Sequence, residues 1–194
     1  LYQDQRGFIW MGTQDGLNRY DGKSFVIYKT DPDIQHSLSD PNITCIAEDN
    51  NGDLWLGTEG GGFNLYHRNS ETFSAYRNDP NNADKHHYFD VRDVVVGNNG
   101  KIWLATLGDG LLCFDPETEA MVTYLHDSQD PFSLSSNNVH CLLQGENDTL
   151  WVGTSDGLSR FDTRRGKAHN FIHDQGNRQS LVPGEVQSLS HGTS

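Results

Sequence analysis

The most restrictive feature of this sequence is a motif that occurs four times: a Trp, an apolar residue, a small residue and a Thr. The tryptophans are Trp10, Trp55, Trp103 and Trp151, which stand 45, 48 and 48 residues apart. A period of this length is typical of propeller blades and exceeds that of leucine-rich or ankyrin units. The chain is therefore an internal repeat, and the repeat determines the fold.

Each period contains the signals for four strands. An apolar run at 43–49 leads through Asn51-Gly52 into the strand that contains Trp55. Asn-Gly between two apolar runs predicts a hairpin with a tight primed turn, in which both central residues have positive φ. A second turn follows, then a third strand and a fourth that ends in an aromatic residue three residues before an Asp. Each period thus predicts one four-stranded antiparallel blade of an all-β propeller.

The strand with the Trp is apolar throughout, so both of its faces must be buried, as they are when blades stack face to face. Two residues after each Trp stands Gly12, Gly57, Ala105 or Gly153. Because Ala occurs there, we expect the requirement to be space for a neighbouring blade rather than positive φ. The recurring Thr either bonds a nearby backbone group or suits a strand through its β-branch, and we favour the second interpretation.

The predicted blades cover approximately residues 1–31, 42–79, 91–127 and 138–174, and a fifth unit starts at 186. Both ends of the chain fall inside a blade, which predicts a fragment of a ring of roughly six to eight blades, with a closed four-bladed ring as the alternative. Blade ends cut in this way expose apolar faces, so a homodimer through them is expected.

The charge of the chain limits the classes of partner that it can bind. The net charge is −13 and the pI is about 4.9, which argues against nucleic acid and anionic membranes as partners. No apolar run approaches the length of a membrane span, so we expect no direct membrane insertion in this region. Cys45, Cys113 and Cys141 do not form a disulfide framework and are interpreted as buried thiols.

The sequence predicts no catalytic, cofactor-binding or metal-binding residue. His86 and His87 are the only adjacent histidines, and they lie in the long connection at 78–89. A zinc site there, completed by Asp84 or Asp90, is the minor alternative to a solvated loop. The Asp-rich turns do not match a twelve-residue calcium loop, so turn chemistry accounts for them.

Asp4 and Asp49 each stand six residues before a Trp, in a spacing like that of the Asp-containing hairpins of sialidases. In the other two copies the Asp is replaced by Gly97 and by either Gln144 or Gly145, depending on a one-residue slip. The motif is therefore expected to be structural.

Two rival functions remain open. A propeller enzyme of the lyase or glycosidase type needs paired carboxylates or a His-centred acid–base set near the axis. Asp90, Asp93, His140 and Glu185, at or near first strands, are its candidates, although polar residues at strand starts are usually only solvated. The second rival is a passive scaffold for protein interaction, because fold alone does not select a function.

Residues 9–21 and 150–162 closely resemble the repeat of the two-component regulator propeller family. Residues 130–134 and the Ser37-Leu38 and Ser180-Leu181 pairs resemble its linker between blades. Blades two and three depart from the pattern through longer turns, at 60–63 and before Gly110.

The resemblance implies an extracytoplasmic, periplasmic sensor region of a bacterial inner-membrane receptor, whose output module is a histidine kinase, often a hybrid one, or a diguanylate cyclase. It implies no catalysis and no cofactor in this region. The expected partner is a small molecule or carbohydrate, or a partner protein domain.

Overall fold

The computed structural model describes residues 1–76 and 90–192, in which it contains strands and turns but no helix, and hence no helix able to cross a membrane. The strands are β1 (Tyr2–Gln3), β2 (Ile9–Thr13), β3 (Gly16–Tyr20), β4 (Phe25–Tyr28), β5 (Ile43–Glu48), β6 (Leu54–Thr58), β7 (Phe63–His67), β8 (Thr72–Tyr76), β9 (Val91–Val96), β10 (Ile102–Thr106), β11 (Leu111–Asp115), β12 (Ala120–Tyr124), β13 (Val139–Gln144), β14 (Thr149–Thr154), β15 (Gly157–Asp162) and β16 (Lys167–Phe171).

The strands form four four-stranded sheets in chain order: sheet 1 (β1–β4), sheet 2 (β5–β8), sheet 3 (β9–β12) and sheet 4 (β13–β16). This confirms the all-β class and the four antiparallel blades. The chain divides into two compact units, unit 1 (Leu1–Val96) and unit 2 (Gly97–Ser194). Residues 186–189, where a fifth blade was expected to start, form no strand, although the Val186 amide donates to the Thr154 carbonyl at 3.0 Å.

The Asn-Gly hairpins form, but not with the predicted turn. Gly52 has φ +82°, whereas Asn51 does not have positive φ. The Gly52 amide donates to the Asp49 carbonyl, and the Asp49 amide donates to Asp53 across the strand ends. This is a three-residue loop that ends in one left-handed residue, so a single glycine suffices. Two adjacent positive φ values occur instead in the fourth blade, at Asn147 and Asp148.

The small residues after Trp10 and Trp55 make room for the next first strand, as predicted. A Cβ on Gly12 would lie 2.7 Å from Cγ2 of Ile43 on β5. A Cβ on Gly57 would lie 2.7 Å from Cγ1 of Val91 on β9 and would also collide with the Cys45 sulfur. Neither glycine has positive φ, so the requirement is space.

The Thr of the motif bonds a nearby backbone group, which is the interpretation that we did not favour. Each Thr hydroxyl donates a hydrogen bond to a glycine carbonyl in the following turn, at 2.7–3.1 Å: Thr13 to Gly16, Thr58 to Gly62, Thr106 to Gly110 and Thr154 to Gly157. Three of these Thr residues are fully buried, so the bond satisfies a carbonyl that water does not reach. The Thr is therefore selected for its hydroxyl as well as its shape.

Three of the four tryptophans are buried and the fourth is not. Trp10, Trp55 and Trp103 expose at most 2% of their surface, whereas Trp151 is half-buried. Trp10 packs edge-on against Tyr66 of sheet 2, and Trp103 packs in the same way against Phe161 of sheet 4. In the described part of the chain no further sheet follows sheet 4, which explains the exposure of Trp151.

Asp4 closes the first turn as expected of a structural residue. Its Oδ1 accepts backbone N–H groups of Arg6 and Phe8, and its Oδ2 accepts the Trp10 indole N–H at 2.8 Å. The same Oδ2 accepts from the Arg68 guanidinium at 2.6 Å, and Arg68 also donates to Glu48 at 3.0 Å. These three side chains are at most 4% exposed and join sheets 1 and 2.

The equivalent position in the fourth blade is Gly145 rather than Gln144. The Gly145 amide donates to the Thr149 carbonyl across the strand ends, as the Asp4 amide donates to Phe8 in the first blade. Gly145 is also six residues before Trp151, which is the spacing of Asp4 and Trp10.

Candidate functional site

The linkers between blades are held by one repeated clamp. In each of three linkers a Ser hydroxyl donates to an Asp carbonyl six residues earlier, and the amide of that Asp donates back to the hydroxyl, at 2.8–3.1 Å. The pairs are Asp31/Ser37, Asp127/Ser133 and Asp174/Ser180. These serines are the ones by which the linker resembles its family, and the clamp fixes the side chains beside it.

Two histidines of unit 2 each stand directly before the Asp of a clamp, and each is oriented by a carbonyl of the same linker. Nδ1 of His126 lies 2.6 Å from the Leu134 carbonyl, and Nδ1 of His173 lies 2.9 Å from the Leu181 carbonyl. A carbonyl only accepts, so each Nδ1 carries a proton, and in the neutral ring Nε2 has the free lone pair. No residue of the described ranges bonds either Nε2.

Both histidines face an open cavity of about 460 Å³ in unit 2. The linkers contribute one wall, the β14–β15 turn another, and β16 the floor. The lining residues are His126, Ser135, Ser155, Asp156, Gly157, Asn170, Ile172, His173, Val182, Pro183 and Gly184. A volume of this size is within the range of small-molecule sites.

Ser135 and Asn170 of the cavity floor belong to a network of hydrogen-bonded polar side chains. The Ser135 hydroxyl lies 2.9 Å from that of Thr154 and 3.1 Å from that of Ser159. Ser159 donates to Oδ1 of Asn170 at 2.6 Å, and Asn170 donates to the Ser133 carbonyl at 2.9 Å. Thr154 and Ser159 are fully buried, so these bonds make the floor rigid.

Two of the candidate catalytic residues come together beside this cavity. Nε2 of His140 lies 2.9 Å from the Ser155 hydroxyl and 3.7 Å from Oε2 of Glu185. A catalytic triad needs the acid on one ring nitrogen and the nucleophile on the other. Here both face the same nitrogen, so the arrangement does not orient His140 as a general base.

The other two candidates lie on or next to β9 in unit 1. Asp90 is ion-paired with Arg92 at 2.7 Å, and Oδ1 of Asp93 accepts the Val94 amide at 2.9 Å. Asp90 therefore faces the guanidinium of Arg92, two residues along the chain.

The described part of the chain offers no candidate metal site. Within residues 1–76 and 90–192, no three His, Cys, Asp or Glu side chains are grouped to hold a metal ion. His86, His87 and Asp84 lie outside the described residues, so the minor zinc alternative is untested. All three cysteines are free, and burial raises the pKa of Cys45 to about 12 and that of Cys113 to about 11.

Sequence reasoning did not single out His126 and His173. A signal was present, because the two are 47 residues apart and each precedes the Asp of a linker. The first linker has Thr30 at that place, so the His recurs in only part of the repeat. Asn170 and Ser159 gave no signal, because their role arises from cross-strand pairing.

The family described as two component regulator propeller matches residues 37–60 and 133–156, one segment in each unit. A histidine kinase P4 from Formosa agariphila is 46% identical over 39 residues, which is 20% of this chain and 3% of that protein.

Solved structures share the fold. The extracellular domain of the hybrid two component system BT3049 from B. thetaiotaomicron is 23% identical, with a TM-score of 0.75 over 89% of this chain. PorZ of Porphyromonas gingivalis, a surface component of the type-IX secretion system, is 21% identical, with a TM-score of 0.66 over 83% of this chain. Virginiamycin B lyase from Staphylococcus aureus is 15% identical, with a TM-score of 0.64 over 89% of this chain.

The chain spans 24%, 25% and 54% of those three structures. An extracellular domain of a two component system, a secretion component and a lyase share this fold, so the fold does not decide between the functions. The repeat is more specific than the fold: two segments of this chain, 37–60 and 133–156, match the two component regulator propeller family.

Proposed function

We propose that this chain, built from two-component regulator propeller repeats, is an extracytoplasmic ligand-sensing region of a bacterial signal-transduction receptor. The observation that carries the proposal is the family's repeat in both units, at 37–60 and 133–156. The short match to a histidine kinase supports it. In this proposal the receptor lies in the inner membrane, and the region described here is periplasmic.

In the proposal, the cavity of unit 2 is the place where the ligand binds. Its floor is rigid, its walls come from clamped linkers, and its size suits a small molecule or part of a carbohydrate chain. A preorganised site of this kind loses little conformational entropy when it binds a ligand. His140 is not arranged as the base of a catalytic triad, because the Ser155 hydroxyl and the Glu185 carboxylate both face its Nε2.

Binding can be tested by thermal unfolding of the chain in the presence of a library of sugars, oligosaccharides and metabolites. A ligand at about 100 times its Kd stabilises the folded state by about 2.7 kcal/mol, which raises Tm by several degrees. Val182→Trp would fill the cavity mouth, and because Val182 is 77% exposed the variant should fold. The matched control is Val122→Trp, which changes a half-exposed residue of unit 2 that does not line the cavity.

The proposal predicts that at least one compound raises Tm in the parent chain and in Val122→Trp but not in Val182→Trp. Stabilisation that persists in Val182→Trp would place the ligand elsewhere. Location is tested separately in cells by labelling an introduced surface cysteine with a reagent that does not cross the inner membrane. Labelling that required lysis would refute the extracytoplasmic part.

A further inference from the structure

Two of the linkers bind the outer strand of the sheet that follows them. In the linker before sheet 2, the His36 carbonyl accepts the N–H of Phe73 on β8 at 2.9 Å. In the linker before sheet 4, the Phe132 carbonyl accepts the N–H of Ala168 on β16 at 2.7 Å. An outer strand has backbone groups that its own sheet leaves unpaired, and each linker uses one of them.

The same linkers make a second polar contact, with the third strand of the sheet. Asn64 on β7 accepts the Ser39 amide at 3.1 Å through Oδ1 and donates to the Ser39 hydroxyl at 2.7 Å. In sheet 4 the Ser159 hydroxyl accepts the Ser135 amide at 3.3 Å and lies 3.1 Å from the Ser135 hydroxyl. Each linker Ser stands three residues after the carbonyl that bonds the outer strand, so the two linkers are bound in one register.

Between the two polar contacts each linker buries a leucine. Leu38 is 3% exposed and Leu134 is 1% exposed. Leu38 belongs to the same hydrophobic cluster as Tyr66 and Phe73, the cross-strand pair to which its linker is bound. A linker therefore covers apolar surface of the sheet as well as bonding its outer strand.

Asn18 of sheet 1 has the place that Asn64 has in sheet 2. Each of the two pairs with the residue directly after the Trp of its motif. Asn18 is half-buried, and across residues 1–76 and 90–192 its carboxamide has no hydrogen-bond partner. It therefore has available the acceptor and the donor that Asn64 uses to hold a linker Ser.

Phe25 of β4 has the place that Phe73 has in β8. Phe25 pairs with Tyr20 as Phe73 pairs with Tyr66. Among the described residues, none outside sheet 1 bonds the Phe25 N–H. Phe25 is 57% exposed, whereas Phe73 is 3% exposed. We call Asn18 and Phe25 the open edge of sheet 1, because both groups that a linker binds in sheet 2 are uncovered there.

We propose that the open edge of sheet 1 binds an extended peptide segment with the pattern x-Ser-Leu-Ser, which is the pattern of the linkers at 36–39 and 132–135. The carbonyl of its first residue accepts the Phe25 N–H, and its leucine packs beside the Phe25 ring. Its last serine donates its N–H to Oδ1 of Asn18 and accepts from the Asn18 amide through its hydroxyl. Binding of this kind adds a strand to a sheet edge and takes its specificity from side chains.

The test uses a synthetic peptide with the sequence of residues 31–42, capped at both ends and titrated into the ¹⁵N-labelled chain. NMR follows the Phe25 backbone amide and the Asn18 carboxamide, and both should shift saturably. The Phe73 amide should not move, because a linker already covers it. A peptide with Leu38→Asp should bind about tenfold more weakly or worse, because it loses the burial of the leucine.

Asn18→Leu in the chain separates recognition of the segment from unspecific adhesion to the Phe25 ring. It should weaken binding by about fivefold or more, because two hydrogen bonds are lost. The variant should fold, since Leu112 has this place in sheet 3. The matched control is Asn51→Leu, which makes the same change at an exposed turn residue of unit 1 and should leave the affinity unchanged.

The inference is overturned if the peptide shifts neither signal, or if the Leu38→Asp peptide or the Asn18→Leu chain binds normally. It is also overturned if the Phe73 amide shifts in place of the Phe25 amide, because the peptide would then be replacing a linker that is already bound. This inference goes beyond the proposed function and does not rest on it. The peptide binds in unit 1 and the cavity lies in unit 2, so either proposal can fail alone.

Discussion

Arg68 should be one of the most costly residues in unit 1 to replace. Its guanidinium donates to Asp4 at 2.6 Å and to Glu48 at 3.0 Å, and its Nε donates to the Gly52 carbonyl. The Arg68 side chain is 4% exposed, and the two carboxylates are 0% and 2% exposed. Arg68→Met keeps much of the aliphatic volume but leaves two buried carboxylates without their cation.

The magnitude follows from the burial. Removing one partner of a buried ion pair typically costs about 3–5 kcal/mol, because the remaining charge is left uncompensated. Arg68 serves two carboxylates, and this places the expected loss for Arg68→Met in the upper part of that range. A surface ion pair contributes about 0–1 kcal/mol. Arg164→Met, in which a 79% exposed Arg loses its pair with Asp148, is the matched control.

The assay is urea unfolding followed through the indole N–H signals in NMR, because the Trp10 indole donates to Asp4 and reports on unit 1 directly. Arg68→Met should lower the unfolding midpoint of the Trp10 signal strongly, whereas Arg164→Met should leave it nearly unchanged. A loss of less than about 1 kcal/mol for Arg68→Met, similar to that of a surface pair, would refute the reasoning. It would show that the two carboxylates find solvent or protons when the cation is removed.

Three further predictions test the packing and the titrating groups. Gly57→Ala should destabilise unit 1 by about 1–3 kcal/mol by pushing a methyl group into Cys45 and Val91, and an unchanged urea midpoint would contradict this. Burial raises the pKa of Asp4, but hydrogen bonds from Trp10 and Arg68 outweigh it and hold the pKa below its usual range. The stability that Asp4 contributes is therefore present at neutral pH and lost as pH falls through that lowered value, and acid titration of unfolding should show less of this loss in Asp4→Asn. Burial raises the pKa of Cys45 to about 12, so the thiol is protonated at pH 8 and iodoacetamide should alkylate it only after urea unfolding. Mass spectrometry detects the alkylation, and rapid labelling of the folded chain would contradict the prediction.

The blade could be predicted from the sequence because its determinants repeat. The Trp strand, the small residue after it and the turn dipeptides recur in every period, and each has a local physical reason. The details that were wrong depended on three-dimensional neighbours. The hydroxyl of Thr58 was assigned to strand preference because its acceptor, the Gly62 carbonyl, becomes a neighbour only when the turn closes. Trp151 was expected to be buried because its motif matches those of Trp10, Trp55 and Trp103, which are buried.

The candidate site was harder to predict because its residues do not repeat throughout. His126 and His173 belong to two linkers, and Asp156 to one turn. In each histidine the Nε2 atom is left unbonded, because Nδ1 pairs with the carbonyl of Leu134 or Leu181. A sequence shows which residues can accept hydrogen bonds, but it does not show which acceptors are already used.

The loss of the turn Asp in the later blades shows which parts of the repeat are free to change. Where Asp49 accepts the Trp55 indole N–H, Gly97 and Gly145 have no side chain to do so. The turn persists because its backbone bond is unchanged: the Gly97 amide still donates to Lys101, as the Asp49 amide does to Asp53. The side chain therefore adds stability to a turn that the backbone already closes. The small residue after the Trp has no such substitute, because what it provides is empty space. Constraint in this repeat follows contact between sheets, and the positions free of that contact, in turns and linkers, are where a binding function can vary without loss of the fold.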